Sequence, residues 1–240
     1  MNRFKNPPHI KQHDGIFVVR DDLIRGGSKA RFLIKLFKHA SEVVYATPAE
    51  GGAQTALAWA AKVTGRRATL FVAARKTLHP RTAMAAGLGA KIVQVRPGYL
   101  NVVQKRARDY CAATGSILAP FGMNTTQAVN VLSHAAQSIN IRPDEVWCAA
   151  GSGTLARALA KAWPNARRHV VQIGRGLKPD DVAGAIIHRH SLPFARAAKS
   201  IPPFPSDSHY DAKAWEICRQ YKGQGCILFW NVTGPPIVAD

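Results

Sequence analysis

Apolar positions along the chain gather into short runs separated by glycine, proline and polar turns, and the runs are of two kinds. GIFVVRDD (15–22), SEVVYAT (41–47), RATLFVAA (67–74), KIVQV (91–95), SILAPF (116–121), DEVWCAA (144–150), HVVQIG (169–174) and CILFWNV (226–232) are rich in β-branched and aromatic residues. Several of them lack polar alternation, which is the pattern of strands buried on both faces. GGAQTALAWAAKVTG, TAMAAGLG, YLNVVQKRARDYCAATG, TTQAVNVLSHAAQSI, LARALAKAWP and YDAKAWEICRQYKG space their apolar residues as helices do. Strands and helices alternate almost throughout, which predicts an α/β protein with mainly parallel sheets. The proline-rich stretch SIPPFPSDS has no predicted element, and no internal repeat is evident. The length suits one large domain or two small ones sharing a cleft.

The 240 residues carry a formal net charge of +19. From Gly51 to Arg108 there is no Asp or Glu, while eleven Lys and Arg fall there. Such a field attracts polyanions, nucleic acid first and anionic membrane second. No apolar run is long enough to cross a bilayer and the polar start of the chain does not read as a secretory signal, so cytoplasmic residence is expected. Cys111, Cys148, Cys218 and Cys226 lack CxxC or zinc spacing and are expected as reduced thiols. His188 and His190 flank Arg189 without a third ligand, so no metal site is expected. Trp147, Trp215 and Trp230 sit in apolar stretches and are expected in the core.

In RDDLIRGGSKARFLIKLF, from Arg20 to Phe37, the turn at Gly26 and Gly27 leads to Ser28, an expected helix N-cap, and puts Lys29 in the first helical turn. A helix N-terminus disfavours a second positive charge, so a lysine there loses its proton more readily. A neutral lysine is a nucleophile that can form a Schiff base with a carbonyl compound such as pyridoxal phosphate.

Three strand-to-helix loops add candidate chemistry. In AAGSGTLARAL the glycines at 151 and 153 let the amides of Ser152, Gly153 and Thr154 point together at an anion, a phosphate cup. The same loop suits an adenosylmethionine methyltransferase, but the strand HVVQIG ends at Gly174 and Arg175 with no carboxylate for a ribose. ATPAEGGAQTALA places Gly51, Gly52, Gln54 and Thr55 where a substrate carboxylate could be held. The third loop is LAPFGMNTT, from Leu118 to Thr126. Ligands of parallel α/β sheets bind at the carboxyl ends of strands, so these loops and Lys29 are expected to converge.

The order of these pieces resembles the pyridoxal-phosphate enzymes of the tryptophan synthase β-like fold (fold type II), nearest to the aminocyclopropane-carboxylate deaminase and D-cysteine desulfhydrase branch. RDDLIRGGSKAR resembles the branch's RxD and GGNKxRK segments, which implies that Lys29 holds the cofactor. Gly52, Ala53, Gln54 and Thr55 correspond to its SNQT segment, Pro120 to Asn124 to its proline-glycine-asparagine loop, and Gly151 to Thr154 to its phosphate loop. Tyr210 to Ala214 echo the YTGKA helix start, and ILFWNVTG places Thr233 where a hydroxyl meets the pyridine nitrogen. The resemblance implies two three-layer α/β/α lobes, a larger cofactor-binding one from 1–40 and 123–240 and a smaller basic one from 41–122, with pyridoxal phosphate as cofactor, substrate contacts from Gly52, Gln54, Thr55 and Tyr210, and lyase or deaminase activity on an amino acid. Ala53 and Gly52 depart from the branch's asparagine and serine, and the chain is shorter between Gly174 and Ser208. The basic region suggests an amino-acid-like substrate carried on a modified base in DNA, of the kind phage-type enzymes remodel, undergoing decarboxylation or C–N cleavage. A non-catalytic nucleic-acid-binding protein on the same scaffold is the alternative, with the methyltransferase third. A homodimer is compatible with each of these.

Overall fold

The computed structural model of the chain describes residues 7–96, 98–174 and 176–236. In chain order the elements are β1 (Ile10–His13), β2 (Ile16–Arg20), α1 (Ala30–Leu36), β3 (Glu42–Ala46), α2 (Ala53–Thr64), β4 (Arg67–Ala73), α3 (Pro80–Gly87), β5 (Lys91–Val95) and α4 (Leu100–Thr114). They continue with β6 (Ile117–Leu118), α5 (Thr126–Gln137), β7 (Glu145–Ala150), α6 (Thr154–Ala162), β8 (Arg167–Gln172), β9 (Ile186–Arg189), α7 (Asp211–Tyr221) and β10 (Ile227–Asn231). Two compact units separate, one built from the chain up to Arg31 with Asn124–Pro235, the other from Phe32–Met123. The first break falls inside α1, earlier than residue 40, where the family resemblance put it.

The first unit holds a six-stranded sheet in the order β1-β2-β10-β7-β8-β9. Among the described strands only the β1–β2 pair is antiparallel. Asp14 and Gly15, at φ of 52° and 76°, make the two-residue turn of that hairpin. The polar leader IKQH therefore forms a strand where the sequence showed none, because edge pairing needs backbone rather than apolar side chains. On one face Trp147, Ala149, Val171, Ile227 and Phe229 pack with Ala214, Trp215 and Cys218 of α7 and with Phe204. Alternate residues of the same strands, Val146, Cys148, Val170, Leu228 and Trp230, are buried as well, and α6 lies against β7 and β8. Burial on both faces explains why these strands read as continuous apolar runs. The stretch after β9 has little regular structure, yet it is tied to α7. His190 Nε2 donates to Glu216 (2.9 Å), Ser200 N–H donates to the same carboxylate (2.5 Å), and Lys213 Nζ donates to the Pro193 carbonyl (2.7 Å).

Beneath that face, Glu145, Trp147, His169 and His188 form a buried polar group. His169 Nδ1 and His188 Nε2 are 2.9 Å apart, Trp147 stacks on His169 at 4.2 Å, and the Trp147 indole N–H donates to Glu145. Burial above all holds both histidines below the ordinary histidine value, against the pull of Glu145. A histidine held neutral by folding contributes stability that is complete above the unfolded pKa and is lost as pH falls through the folded one. The melting temperature should therefore drop as pH falls below about 6.5, the unfolded histidine value. His188→Phe should flatten that drop, and an unchanged slope would count against this account.

The second unit is a four-stranded parallel sheet in the order β5-β4-β3-β6. Val44, Ala46, Phe71 and Val95 pack against Val103 and Ala107 of α4. The alternate residues Val43, Tyr45, Leu70 and Val72 are buried too, and α2 lies against β3 and β4. Among the described residues no helix is long and apolar enough to cross a membrane.

Candidate active site

The turn carrying Lys29 follows β2 and is fixed by two aspartates. Asp21 is fully buried, and its carboxylate accepts hydrogen bonds from the Ser28 hydroxyl (2.6 Å), Arg31 Nε (3.0 Å) and Trp230 Nε1 (3.0 Å). Asp22 accepts from Arg20 through two nitrogens (2.8 and 2.7 Å) and from Asn231 Nδ2 (2.7 Å). Ser28 is therefore not a helix N-cap. Its hydroxyl is committed to Asp21, residues Gly27–Lys29 form a 3-10 turn entered through Gly26 in the left-handed region, and α1 begins at Ala30. The Ser28 N–H donates to the Val232 carbonyl (2.9 Å). A Cβ on Gly27 would lie 2.3 Å from that same oxygen and 2.9 Å from the Thr233 Cβ, so glycine is what lets the lysine turn press against the end of β10.

Thr233 leads from this turn to the head of α7. Its N–H donates to Asp211 Oδ2 (3.2 Å), and its carbonyl accepts from the Asp207 N–H (3.1 Å). Asp211 is fully buried and its Oδ1 has no hydrogen-bond partner. Burial, then the charge of Asp207, raises its pKa well above the carboxylate range, against the lowering by the Val232 and Thr233 N–H groups and by the charge of Lys29. The amine of Lys29 is thus near enough to act on Asp211, whose carboxyl group burial biases toward the protonated form. The preceding residue, Tyr210, reaches the glycine loop: its phenol is hydrogen-bonded to the Gly151 backbone and is kept protonated by burial and by Asp211.

The glycine loop joins β7 to α6. Gly153 has φ 78°, Ser152 Oγ and Thr154 Oγ1 are 3.0 Å apart, and the helix starts at Thr154. The first N–H groups of a helix have no partner within it, so this end presents donors to an anion. A Cβ on Gly153 would fall 1.8 Å from the Asp181 carbonyl oxygen. Gly153→Ala should then cost about 1–3 kcal/mol, by left-handed strain and displacement of the 179–182 turn. Urea unfolding would check this, and a loss below about 0.5 kcal/mol would show that the loop relaxes freely.

Lys29, Thr233, Asp211, Tyr210 and Gly151 to Thr154 therefore form one connected group in the first unit. Asp211 was missed in the sequence, where an acid in the first turn of a helix reads as an ordinary complement to the helix dipole. Gly52, Gln54 and Thr55 belong to the second unit, at the head of α2. Gln54 is fully buried, with Nε2 donating to the Ala49 carbonyl (2.6 Å), and the Thr55 hydroxyl donates to the Gly52 carbonyl (3.0 Å). Both side-chain donors are used within the loop, which leaves backbone N–H groups as its free donors. In the third loop the Gly122 N–H donates to the Tyr45 hydroxyl (3.2 Å), whose pKa is pushed up to about 12 by burial. Arg175 lies outside the described residues.

The family of pyridoxal-phosphate dependent enzymes matches residues 3–227. The chain belongs to that family. No curated protein matches it. Among solved structures, an ACC deaminase homologue is 16% identical with a TM-score of 0.80, over 96% of this chain and 90% of that one. Threonine deaminase isoform 2 from Solanum lycopersicum is 15% identical with a TM-score of 0.70, over 95% and 78%. Diaminopropionate ammonia lyase from Escherichia coli is 14% identical with a TM-score of 0.68, over 95% and 83%. These likenesses establish the fold, and with the family match they set the methyltransferase reading aside. As a pyridoxal-phosphate dependent enzyme the chain takes that cofactor, and the first unit's group of residues fits it. It offers an amine, a glycine loop with N–H donors and two hydroxyls, and one orphaned, buried carboxyl oxygen on Asp211.

Proposed function

We propose that the chain is a lyase or deaminase that cleaves a carbon–nitrogen bond of an amino acid or of an amino-acid-like group carried on nucleic acid. Pyridoxal phosphate, when bound, supplies an aldehyde and an electron-withdrawing ring that stabilises negative charge at the substrate carbon. Lys29 is the amine for that aldehyde and the group that takes and returns the proton at the labile carbon. Gly151, Ser152, Gly153 and Thr154 would hold the phosphate through backbone N–H groups and two hydroxyls. Thr233 and Asp211 would meet the ring nitrogen. Thr233 carries no charge and burial biases the Asp211 carboxyl toward its protonated form, so the nitrogen would stay largely unprotonated. That favours elimination and deamination over steps that need the strongest electron sink, and makes decarboxylation the second choice. Tyr210 is assigned to the substrate as a proton-bearing phenol. To Gly52, Gln54 and Thr55 we assign the substrate carboxylate, taken by N–H groups at the head of α2, with the two side chains bracing the loop.

One observation carries this reading: the Lys29 turn, Thr233, Asp211 and Tyr210 are linked by hydrogen bonds and charge to the glycine loop. Its test is product release by the cofactor-loaded protein from two panels, small free amino acids and oligonucleotides bearing an amino acid on a thymine. Ammonia or oxo-acid release supports the proposal. Carbon dioxide release alone would replace C–N cleavage by decarboxylation, and turnover of neither panel would overturn it.

A further inference from the structure

The second unit carries a feature that the cofactor chemistry does not use. Residues 32–123 contain thirteen Lys and Arg against three acids, Glu42, Glu50 and Asp109. All three acids are engaged. Glu42 is buried and accepts from Thr69, Ser116 and Tyr110, and Glu50 pairs with Arg75 at 2.9 Å. Asp109 is bonded to Lys105 at 2.8 Å and is held below the carboxylate range by Lys105, Arg106 and Arg108. Of the eleven cations between Gly51 and Arg108 only Arg81 is buried. Within this field lies a groove of about 600 Å³ between the edge strand β5 and α4, lined by Phe71, Lys91, Arg96, Arg106, Tyr110 and the Lys105-paired Asp109 among others. Lys91 Nζ stands 5.3 Å from the Tyr110 ring centre, and Phe71 and Tyr110 are 5.5 Å apart, so the floor is aromatic and the rim cationic. Beside Arg96 in the chain, Tyr99 stands at the head of α4 with 72% of its surface exposed.

We propose that this groove seats a single strand of nucleic acid, with Lys91, Arg96 and Arg106 taking backbone phosphates and Tyr99 stacking on a base. Cations along a groove, with an exposed aromatic three residues on from one of them, are the elements of sequence-tolerant single-strand binding. Its volume suits a ligand of nucleotide size, and its concave form admits one strand where a duplex would be too wide. A membrane surface fits less well: Val103 and Ala107, the apolar face of α4, are already packed against the sheet, which leaves only Tyr99 and Leu100 exposed at its head, too little to insert. The proposal rests on the nucleic-acid-borne substrate of the preceding section and gives it a place to bind.

The test uses the cofactor-loaded full chain and fluorescent single-stranded oligonucleotides, one DNA and one RNA, titrated at several salt concentrations. Arg96→Gln with Arg106→Gln empties two groove positions. Lys62→Gln with Arg66→Gln removes the same charge from exposed positions off the groove. The groove variant should bind about tenfold or more weakly at physiological salt, and its plot of log affinity against log salt should be shallower by about 1.4. The off-groove variant should stay within about threefold of the wild type. Tyr99→Ala should weaken binding by about tenfold with the salt slope unchanged. Preference for the DNA or the RNA strand tells which nucleic acid is the partner. Equal losses in the two double variants, no binding by the wild type, or binding to anionic phospholipid vesicles in place of oligonucleotides would each overturn the groove. Turnover of free amino acids by the same preparations reports on the lyase reading separately, so that reading survives if only the strand binding fails.

Discussion

Lys29→Ala should yield a folded, colourless protein that no longer shows the visible absorbance of lysine-linked cofactor and whose turnover falls by about 10³-fold or more. The size follows from the chemistry: alanine removes both the amine that engages the aldehyde and the group that moves the proton. Lys29→Arg should fare no better, because a guanidinium stays protonated and cannot act as nucleophile or base. Folding should survive, since Gly27, Ser28 and Asp21 hold the turn. The absorbance spectrum with added pyridoxal phosphate and a urea melt read these two outcomes independently. A variant that kept both colour and turnover would take the role away from Lys29.

Asp21→Ala is expected to have the largest effect on stability, about 3–5 kcal/mol. Asp21 and Arg31 form an ion pair whose side chains are 0% and 4% exposed, and removing the carboxylate strands a buried guanidinium without its counter-charge. The Ser28 hydroxyl loses its acceptor in the same step, and the Trp230 indole N–H keeps only the Ser28 oxygen. Because the change begins in the lysine turn, cofactor absorbance should be lost at lower urea than the global transition. Asp21→Asn keeps an acceptor and should be milder, though Arg31 remains unneutralised. A destabilisation under about 1 kcal/mol for Asp21→Ala would mean that water or a local shift replaces the carboxylate.

The parallel architecture was legible because strands such as EVVYA and ILFWN must be apolar on both faces when helices cover both sides of a sheet. The lysine turn and the glycine loop were legible because glycines mark backbone that no other residue accommodates. At Gly27 and Gly153 the coordinates show the reason, a neighbouring carbonyl oxygen where a Cβ would stand. Strand β1 was not legible, since a polar edge strand is held by backbone pairing to β2 and leaves little trace in its side chains. The roles of Ser28, Gln54 and Asp211 were hidden for another reason. Each depends on a partner distant in sequence or on burial. Ser28 bonds Asp21 and Trp230, Gln54 turns back to Ala49 inside the core, and the pKa of Asp211 is raised chiefly because it is enclosed.

By itself, then, the order of residues determined the alternation of strands and helices, the basic character of 51–108 and the candidate lysine, since all three are local in the chain. Which carboxyl group stands near that lysine, which donors are already used and where the exposed cations border a groove were decided only by the tertiary structure. Desolvation and hydrogen bonding act through space, between residues as far apart as Asp21 and Trp230.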